Sequence, residues 1–169
     1  MRRLAQTTLA ALALSTVIQA APALAGDYRL GGVAVQAPWT RPAAAGMNGV
    51  GYFTVTNTGP KPITLVTIES SAARSITLHQ SLVQNGVSSM RAVSGGVTIA
   101  PGAKVAFAPG GYHLMLMGLT KAQVLGGQTP LTLVFTDGRR MKIHLSVKTG
   151  PPKAAAADPM AGMAGMHEH

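Results

Sequence analysis

The segment His113-Leu114-Met115-Leu116-Met117 holds the residue types with the clearest capacity for chemistry. Its His and Met residues alternate with its leucines. Alternate residues of a strand point to opposite faces, so one face would carry an imidazole and thioethers, and the other would carry leucines. Imidazole nitrogen and thioether sulfur are ligands suited to copper, and to Cu(I) in particular. The segment alone does not distinguish a metal site from a core strand.

Two residues earlier in the chain extend this pattern. His79 ends an alternating segment, and ten residues separate it from Met90, with the turn signal Asn85-Gly86 between them. Two antiparallel strands joined by that turn would bring His79 and Met90 near one another. Same-face neighbours in a strand lie ~6.5 Å apart, a gap that long side chains can close onto one ion. Together with His113 and Met115 they would form a soft, roughly tetrahedral site.

Each of these residues also has an ordinary structural interpretation. A single His at a strand end is more often a surface or hydrogen-bonded residue, and a single Met in a strand more often fills the core. Met117 is expected in the core or beside the ligands, and Met47 and Met141 in the core or in loops. His144 falls within a strand, and we expect it to be a structural His with satisfied hydrogen bonds.

The chain offers few groups for catalysis. Its five carboxylates are scattered, two of them near the end of the chain, so a paired acid/base site is hard to assemble. There is no cysteine, and no nucleophile-elbow pattern occurs. We therefore expect a protein that is not an enzyme. The missing thiolate also argues against a blue-copper electron-transfer centre.

Residues 1–25 have the pattern of an export signal. Two arginines precede an apolar stretch from Leu4 to about Ala21, and Ala23-Leu24-Ala25 is a small-x-small cleavage signal before Gly26. The strongly apolar part is shorter than the ~20 residues that a spanning helix needs. The sequence therefore predicts export to the periplasm and cleavage near Ala25-Gly26, with no stable membrane insertion afterwards.

The net charge is basic, with 14 Lys and Arg against 5 Asp and Glu, or +9. Removal of residues 1–25 takes away Arg2 and Arg3 and leaves 12 against 5, or +7. The basic residues are scattered, and aromatic residues make up only 4% of the chain, too few to stack bases. Nucleic-acid binding is therefore not expected, and an ordinary basic surface or docking on an acidic partner remains.

The mature chain predicts an all-β fold, an antiparallel β-sandwich over residues 26–149. Short β-branched runs recur between Gly- and Pro-containing turns, and Asp137-Gly138 is a strong hairpin signal. The only helix candidate is a turn near Ser70 to Arg74. The predicted strands are 33–36, 50–57, 63–69, 75–79, 86–93, 97–99, 104–107, 113–117, 131–136 and 141–148.

Residues 150–169 are predicted to form a flexible, disordered tail, because prolines stop the last strand and no apolar periodicity follows. The tail repeats Met-Ala-Gly twice and closes with Met-His-Glu-His. It could be a tail without function or a secondary copper site. Its thioethers suit Cu(I), and its imidazoles also suit Cu(II). The residues in question are Met160, Met163, Met166, His167 and His169.

The spacing of His79, Met90 and His113-x-Met115 resembles the signature of the periplasmic copper chaperone family PCuAC. Three further stretches also resemble that family: Ala37-Pro38-Trp39-Thr40-Arg41-Pro42, Gly51-Tyr52-Phe53-Thr54-Val55-Thr56-Asn57 and the block from Pro109 to Leu119. The resemblance covers about residues 30 to 148. Many family members have a Met two residues after the first His, where this chain has Ser81. The gap of 22 residues between Met90 and His113 is one longer than usual.

The resemblance implies a cupredoxin-like, immunoglobulin-like β-sandwich that binds one Cu(I) through His79, Met90, His113 and Met115. It further implies delivery of copper to cytochrome c oxidase, whose copper domain or a thiol copper chaperone would be the partner. We expect a monomer that transfers copper by ligand exchange. The alternative is a periplasmic copper-resistance protein that stores the metal and has no dedicated acceptor.

Overall fold

The computed structural model describes residues 27–151, which form eleven β-strands and no helix. It follows that none of these residues forms a helix able to cross a membrane. The predicted export signal and the candidate copper-binding residues of the tail lie outside the described range. The strands are β1 Tyr28–Leu30, β2 Val33–Thr40, β3 Gly49–Asn57, β4 Ile63–Glu69, β5 Ala73–Gln84, β6 Val87–Ala92, β7 Val97–Ile99, β8 Lys104–Phe107, β9 Tyr112–Leu119, β10 Gln128–Phe135 and β11 Arg140–Val147.

All strands belong to one hydrogen-bonded sheet, in the order β6-β5-β9-β8-β3-β2-β11-β10-β4-β7, with β1 added on β2. The sheet curls, because strands from both of its halves supply a single core and β4 lies against β5. The predicted all-β fold is therefore confirmed. Two pairings are parallel rather than antiparallel, β2 with β11 and β8 with β9.

The core is built from the apolar positions of alternating strands. In β10, Leu131, Leu133 and Phe135 are buried, and in β11 Ile143 and Leu145 are buried, with more exposed residues between them. Phe53 and Phe107 stack in the same core with ring centroids 4.5 Å apart. Period-two burial of this kind is what the sequence pattern predicts for half-buried strands.

The second strand is longer than predicted. The prediction ended it at Gln36, but β2 continues to Thr40 through an irregularity where the register with β3 shifts. Ala37 has a positive φ of 49° there, which allows the chain to pass Pro38 and resume pairing at Trp39. A bulge thus carries the strand past a proline that would otherwise end it.

The predicted helical turn near Ser70 to Arg74 is wrong. Ser71 and Ala72 form a turn, and β5 already begins at Ala73. The Ser70 hydroxyl accepts a hydrogen bond from the Ala72 backbone N–H, 3.0 Å away. Serine favours such local turns over helix because its side chain bonds to nearby backbone.

The β5–β6 hairpin turns at Asn85-Gly86, as predicted. Asn85 and Gly86 have φ values of 52° and 76°. Positive φ at both central residues defines the type I′ turn, whose twist matches that of the flanking strands. The register places Ser81 opposite Met90 and His79 opposite Ala92.

Candidate metal centre

Strand β9 has two chemically distinct faces. Leu114 and Leu116 are completely buried in the core, whereas Met115 and Met117 are only partly buried. His113 is 4% exposed. Because alternate residues share a face, His113, Met115 and Met117 lie together on the side away from those leucines.

Strand β5 runs antiparallel beside β9 and adds a second imidazole to this face. His79 lies directly opposite His113, and their ring centroids are 5.9 Å apart. Thr77 lies opposite Met115 in the same register. Directly opposed residues of an antiparallel pair share a face, so His79, His113 and Met115 form one group of side chains.

Strand β6 brings Met90 to the same side. Met90 lies opposite Ser81, which is two residues from His79 and therefore on the face of His79. The Met90 side chain is 57% exposed at an edge of the sheet. We call the group His79, Met90, His113 and Met115 the His/Met face. It spans three adjacent strands, β6, β5 and β9.

The hydrogen bonds of His113 determine which ring nitrogen is free. Its Nδ1 lies 3.0 Å from the Gly111 carbonyl oxygen. A carbonyl can only accept, so Nδ1 carries the proton, and Nε2 of the neutral ring carries the lone pair. Nε2 is buried and has no hydrogen-bond partner.

His79 has the same incomplete pattern with the nitrogens exchanged. Its Nε2 lies 3.0 Å from the Thr77 hydroxyl oxygen, and its Nδ1 is buried without a partner. A buried polar atom without a partner costs free energy, about 1–3 kcal/mol. Such atoms are rare in native proteins. Two of them on one face, each able to present a lone pair, fit a site for a metal ion.

The donor set is soft and uncharged. Within residues 27–151, no three His, Cys, Asp or Glu side chains lie together as a metal site. The carboxylates of β4 and of the β10–β11 turn pair with arginines, Glu69 with Arg140 and Asp137 with Arg139. Thioether and imidazole ligands without carboxylates suit Cu(I) better than Ca²⁺ or Mg²⁺.

The remaining His and Met residues lie as follows. Met117 is partly buried opposite Ser75, one step beyond Met115 on the same face. Met47 is exposed in the β2–β3 loop and Met141 is buried in the core, both within the predicted alternatives. His144 has an exposed side chain on β11, and its role as a structural His stays a prediction. Residue 144 takes the outward position of an alternating strand.

Thr77 and Gly111 contact the two imidazoles, and sequence reasoning missed both. Each lies two residues before its histidine, so Thr77 shares the face of His79 in β5. The period of two along the strand was the available signal for Thr77. Gly111 precedes β9 and acts through its backbone carbonyl, which no residue type reveals.

Comparisons with known proteins agree on a family. The model of the family described as "Putative lipoprotein LpqE-like" matches residues 33–147. A relative from Leifsonia xyli subsp. xyli, named "Putative lipoprotein Lxx21020", is 35% identical over 151 residues, which cover 87% of this chain and 90% of the relative.

Solved structures show the same fold. The copper-bound PCuAC domain from PmoF2 superposes with a TM-score of 0.62 at 25% identity, covering 73% of this chain and 98% of that domain. The Cu(I) form of DR1885 from Deinococcus radiodurans superposes with a TM-score of 0.53 at 31% identity, covering 68% of this chain and 78% of that protein. The chain belongs to the LpqE-like family and has the fold of the PCuAC domains.

Proposed function

We propose that this protein is an exported copper chaperone that binds one Cu(I) through His79, Met90, His113 and Met115. The observation that carries the proposal is the pair of buried ring nitrogens, His79 Nδ1 and His113 Nε2, that lack partners beside two thioethers. Support comes from the structural relatives, because the PmoF2 domain is copper-bound and DR1885 is bound to Cu(I).

The unequal exposure of the ligands indicates how copper would leave. Met90 is 57% exposed on an edge strand, whereas His113 is 4% exposed. An incoming ligand would reach the metal from the Met90 side, so the Met90 thioether leaves first and His113 last. Copper remains Cu(I) throughout, and each bond to an acceptor atom replaces one bond to this protein.

The acceptor is proposed to be a protein with cysteine ligands, either the copper domain of cytochrome c oxidase or a thiol copper chaperone. Thiolate is a softer and stronger ligand for Cu(I) than thioether or imidazole. Transfer of Cu(I) from an uncharged His/Met site to a thiolate site is therefore favourable in free energy. The protein would act as a monomer, without nucleic acid, and not as an enzyme.

Export to the periplasm is supported by the signal-like residues 1–25 and by the lipoprotein names of the family and the Leifsonia relative. This chain contains no cysteine, the residue to which thioester- and thioether-linked lipids attach. We therefore propose that signal cleavage near Ala25-Gly26 releases the protein without a thiol-linked lipid.

A pair of methionine variants tests the binding site. Met90→Leu removes a proposed ligand, and Met47→Leu removes a similarly exposed thioether outside the His/Met face. Loss of a residue that only hydrogen-bonds to a metal ligand typically weakens metal binding by about 10-fold or more. Loss of the ligand itself should cost more, so Met90→Leu should weaken binding by more than about 10-fold in a competition titration of the mature protein with a Cu(I) chelator. Met47→Leu should leave the affinity unchanged. Equal affinities in the two variants would contradict the proposed ligand set.

The tail is proposed to hold additional copper, Cu(I) on Met160, Met163 and Met166 and Cu(II) on His167 and His169. A full-length variant with the three methionines changed to leucine and the two histidines to alanine tests this. The unaltered protein should bind more than one equivalent of copper, and the variant one equivalent of Cu(I). Identical copper stoichiometries in the two proteins would contradict the tail proposal and would not affect the proposed site on the His/Met face.

Delivery and storage predict different outcomes in a transfer assay. The Cu(I)-loaded protein is mixed with the metal-free copper domain of an oxidase, and metal movement is followed by the change in each protein's copper content. Transfer faster than release to an equal concentration of chelator supports delivery. Transfer no faster than that release would favour the storage protein.

A further inference from the structure

The two imidazoles of the His/Met face use opposite ring nitrogens for their hydrogen bonds. His113 engages its Nδ1 with the Gly111 carbonyl, and His79 engages its Nε2 with the Thr77 hydroxyl, each at 3.0 Å. The nitrogens left without partners are therefore Nε2 of His113 and Nδ1 of His79. The asymmetry arises from the positions of Gly111 and Thr77, not from the residue type.

The tautomer of His113 is fixed by its partner. The Gly111 carbonyl also accepts a hydrogen bond from the Ser81 backbone N–H, 3.0 Å away. This second bond holds the carbonyl at the junction of β5 and β9. Because the carbonyl accepts only, His113 is protonated at Nδ1 even without a metal.

The tautomer of His79 depends on Thr77 and on the metal together. A hydroxyl can either donate or accept, so Thr77 alone allows both tautomers of the neutral ring. A metal bound at the partnerless Nδ1 requires the proton on Nε2, and the Thr77 oxygen then accepts a hydrogen bond from this Nε2–H. Hydrogen bonds of this kind orient a metal-bound imidazole and raise its basicity.

We propose that His79 binds Cu(I) through Nδ1 and His113 binds it through Nε2, with Thr77 as the positioning residue that accepts a hydrogen bond from Nε2–H of the metal-bound His79. The inference rests on the proposed function and deepens it by assigning the ligand atoms. The two rings would use different nitrogens because Gly111 engages Nδ1 of His113, whereas Thr77 engages Nε2 of His79.

Nitrogen-15 NMR of the imidazoles tests the assignment directly, because two-bond proton–nitrogen correlations identify the protonated and the metal-bound nitrogen. In the metal-free protein we expect His113 to be protonated at Nδ1. After one equivalent of Cu(I), His79 should be protonated at Nε2 and His113 should remain protonated at Nδ1. Coordination of both rings through the same kind of nitrogen would overturn the inference while leaving copper binding intact. No change in either ring on adding Cu(I) would overturn the proposed function as well.

Substitutions at Thr77 test its positioning role. Thr77 is exposed, so Thr77→Val should not unfold the protein, which a thermal melt can verify. Thr77→Val should weaken Cu(I) binding by about 10-fold and shift the Nε2–H resonance of Cu(I)-bound His79, because that N–H loses its acceptor, and Thr77→Ser should restore both. The control is Thr132→Val on β10, which should alter neither. Unchanged affinity and an unchanged His79 Nε2–H resonance in Thr77→Val would remove Thr77 from the role.

Discussion

The β5–β6 and β10–β11 hairpins have similar length, but they differ in how they bury apolar side chains and pair polar groups. In the β10–β11 hairpin, buried apolar residues alternate with solvent-facing ones, and the carboxylate at its turn, Asp137, pairs with Arg139. In the β5–β6 hairpin, His79 has a buried ring nitrogen without a partner, and Met90 is a large apolar side chain left exposed. The β10–β11 hairpin pairs the carboxylate at its turn, whereas the β5–β6 hairpin leaves a buried ring nitrogen of His79 without a partner.

The difference teaches where to look for function in an all-β protein. Strands that only stabilise the fold bury apolar groups and pair polar ones, because unpaired buried polar atoms cost free energy. A hairpin that leaves such an atom unpaired is therefore a candidate binding site, where a ligand would satisfy the atom. Within the described residues, two of the three buried side-chain atoms without partners belong to His79 and His113.

The charges of the two regions differ as well. Arg140 donates hydrogen bonds to Glu69 and lowers the pKa of that carboxyl below its usual value, and Arg139 does the same to the pKa of Asp137. Between Glu69 and Asp137, a stretch that contains β5, β6 and β9, the chain has four basic residues and no carboxylate. The His/Met face is thus kept free of the hard anionic ligands that would favour other metals.

The largest expected effect comes from replacing His113, and His144 of the β10–β11 hairpin serves as its control. His113→Ala removes a buried ligand of the His/Met face, and His144→Ala removes an exposed His of the β10–β11 hairpin. We expect Cu(I) binding to be lost in the first variant and unchanged in the second, as measured by chelator competition. A thermal melt of His113→Ala checks that the domain is folded. Loss of binding in both variants would erase the distinction between the His/Met face and the β10–β11 hairpin.

A smaller effect is expected at the turns of the hairpins. Gly86 and Gly138 have φ values of 76° and 82°, and an added Cβ would meet no atom within 4 Å at either position. Alanine should therefore cost only backbone strain, about 1 kcal/mol of unfolding free energy at each site. Denaturant titration measures this loss.

The same two variants separate the hairpins functionally. Gly86→Ala should also weaken Cu(I) binding, because the Asn85-Gly86 turn sets the register that carries Met90 to the His/Met face. Gly138→Ala should leave Cu(I) affinity intact. Equal copper affinities in Gly86→Ala and Gly138→Ala would mean that the β5–β6 turn does not position a ligand.

The smallest effect is expected from the exposed pair of Glu69 and Arg140. The pKa of Glu69 is lowered in the folded state, so its contribution to stability is present above the unfolded pKa and is lost as pH falls through the folded value. Unfolding free energies of the wild type and Glu69→Gln should differ slightly at neutral pH and converge in acid. The difference should also shrink in high salt. A difference that grows on acidification would have the wrong sign for this pair.

Much of the architecture follows from local patterns. Period-two alternation predicts β10 and β11, and the Asn85-Gly86 dipeptide predicts the type I′ turn, because each depends only on residues near it. The prediction failed at Ala37 and Pro38, where a bulge lets β2 continue, and at Ser70, where a turn replaces a helix. Both errors arise where tertiary pairing or a side-chain hydrogen bond overrides local propensity.

The sequence by itself determined the chemical nature of the protein: a chain without cysteine, with His and Met at alternate strand positions and with few carboxylates. Alternation is a property of the extended backbone, so it assigns His113 and Met115 to one face without knowledge of the fold. Only the tertiary structure decided that His79 lies opposite His113, because strand pairing joins residues far apart in the chain. It also decided which ring nitrogens are free, since that depends on the neighbours, Thr77 and Gly111, that folding supplies.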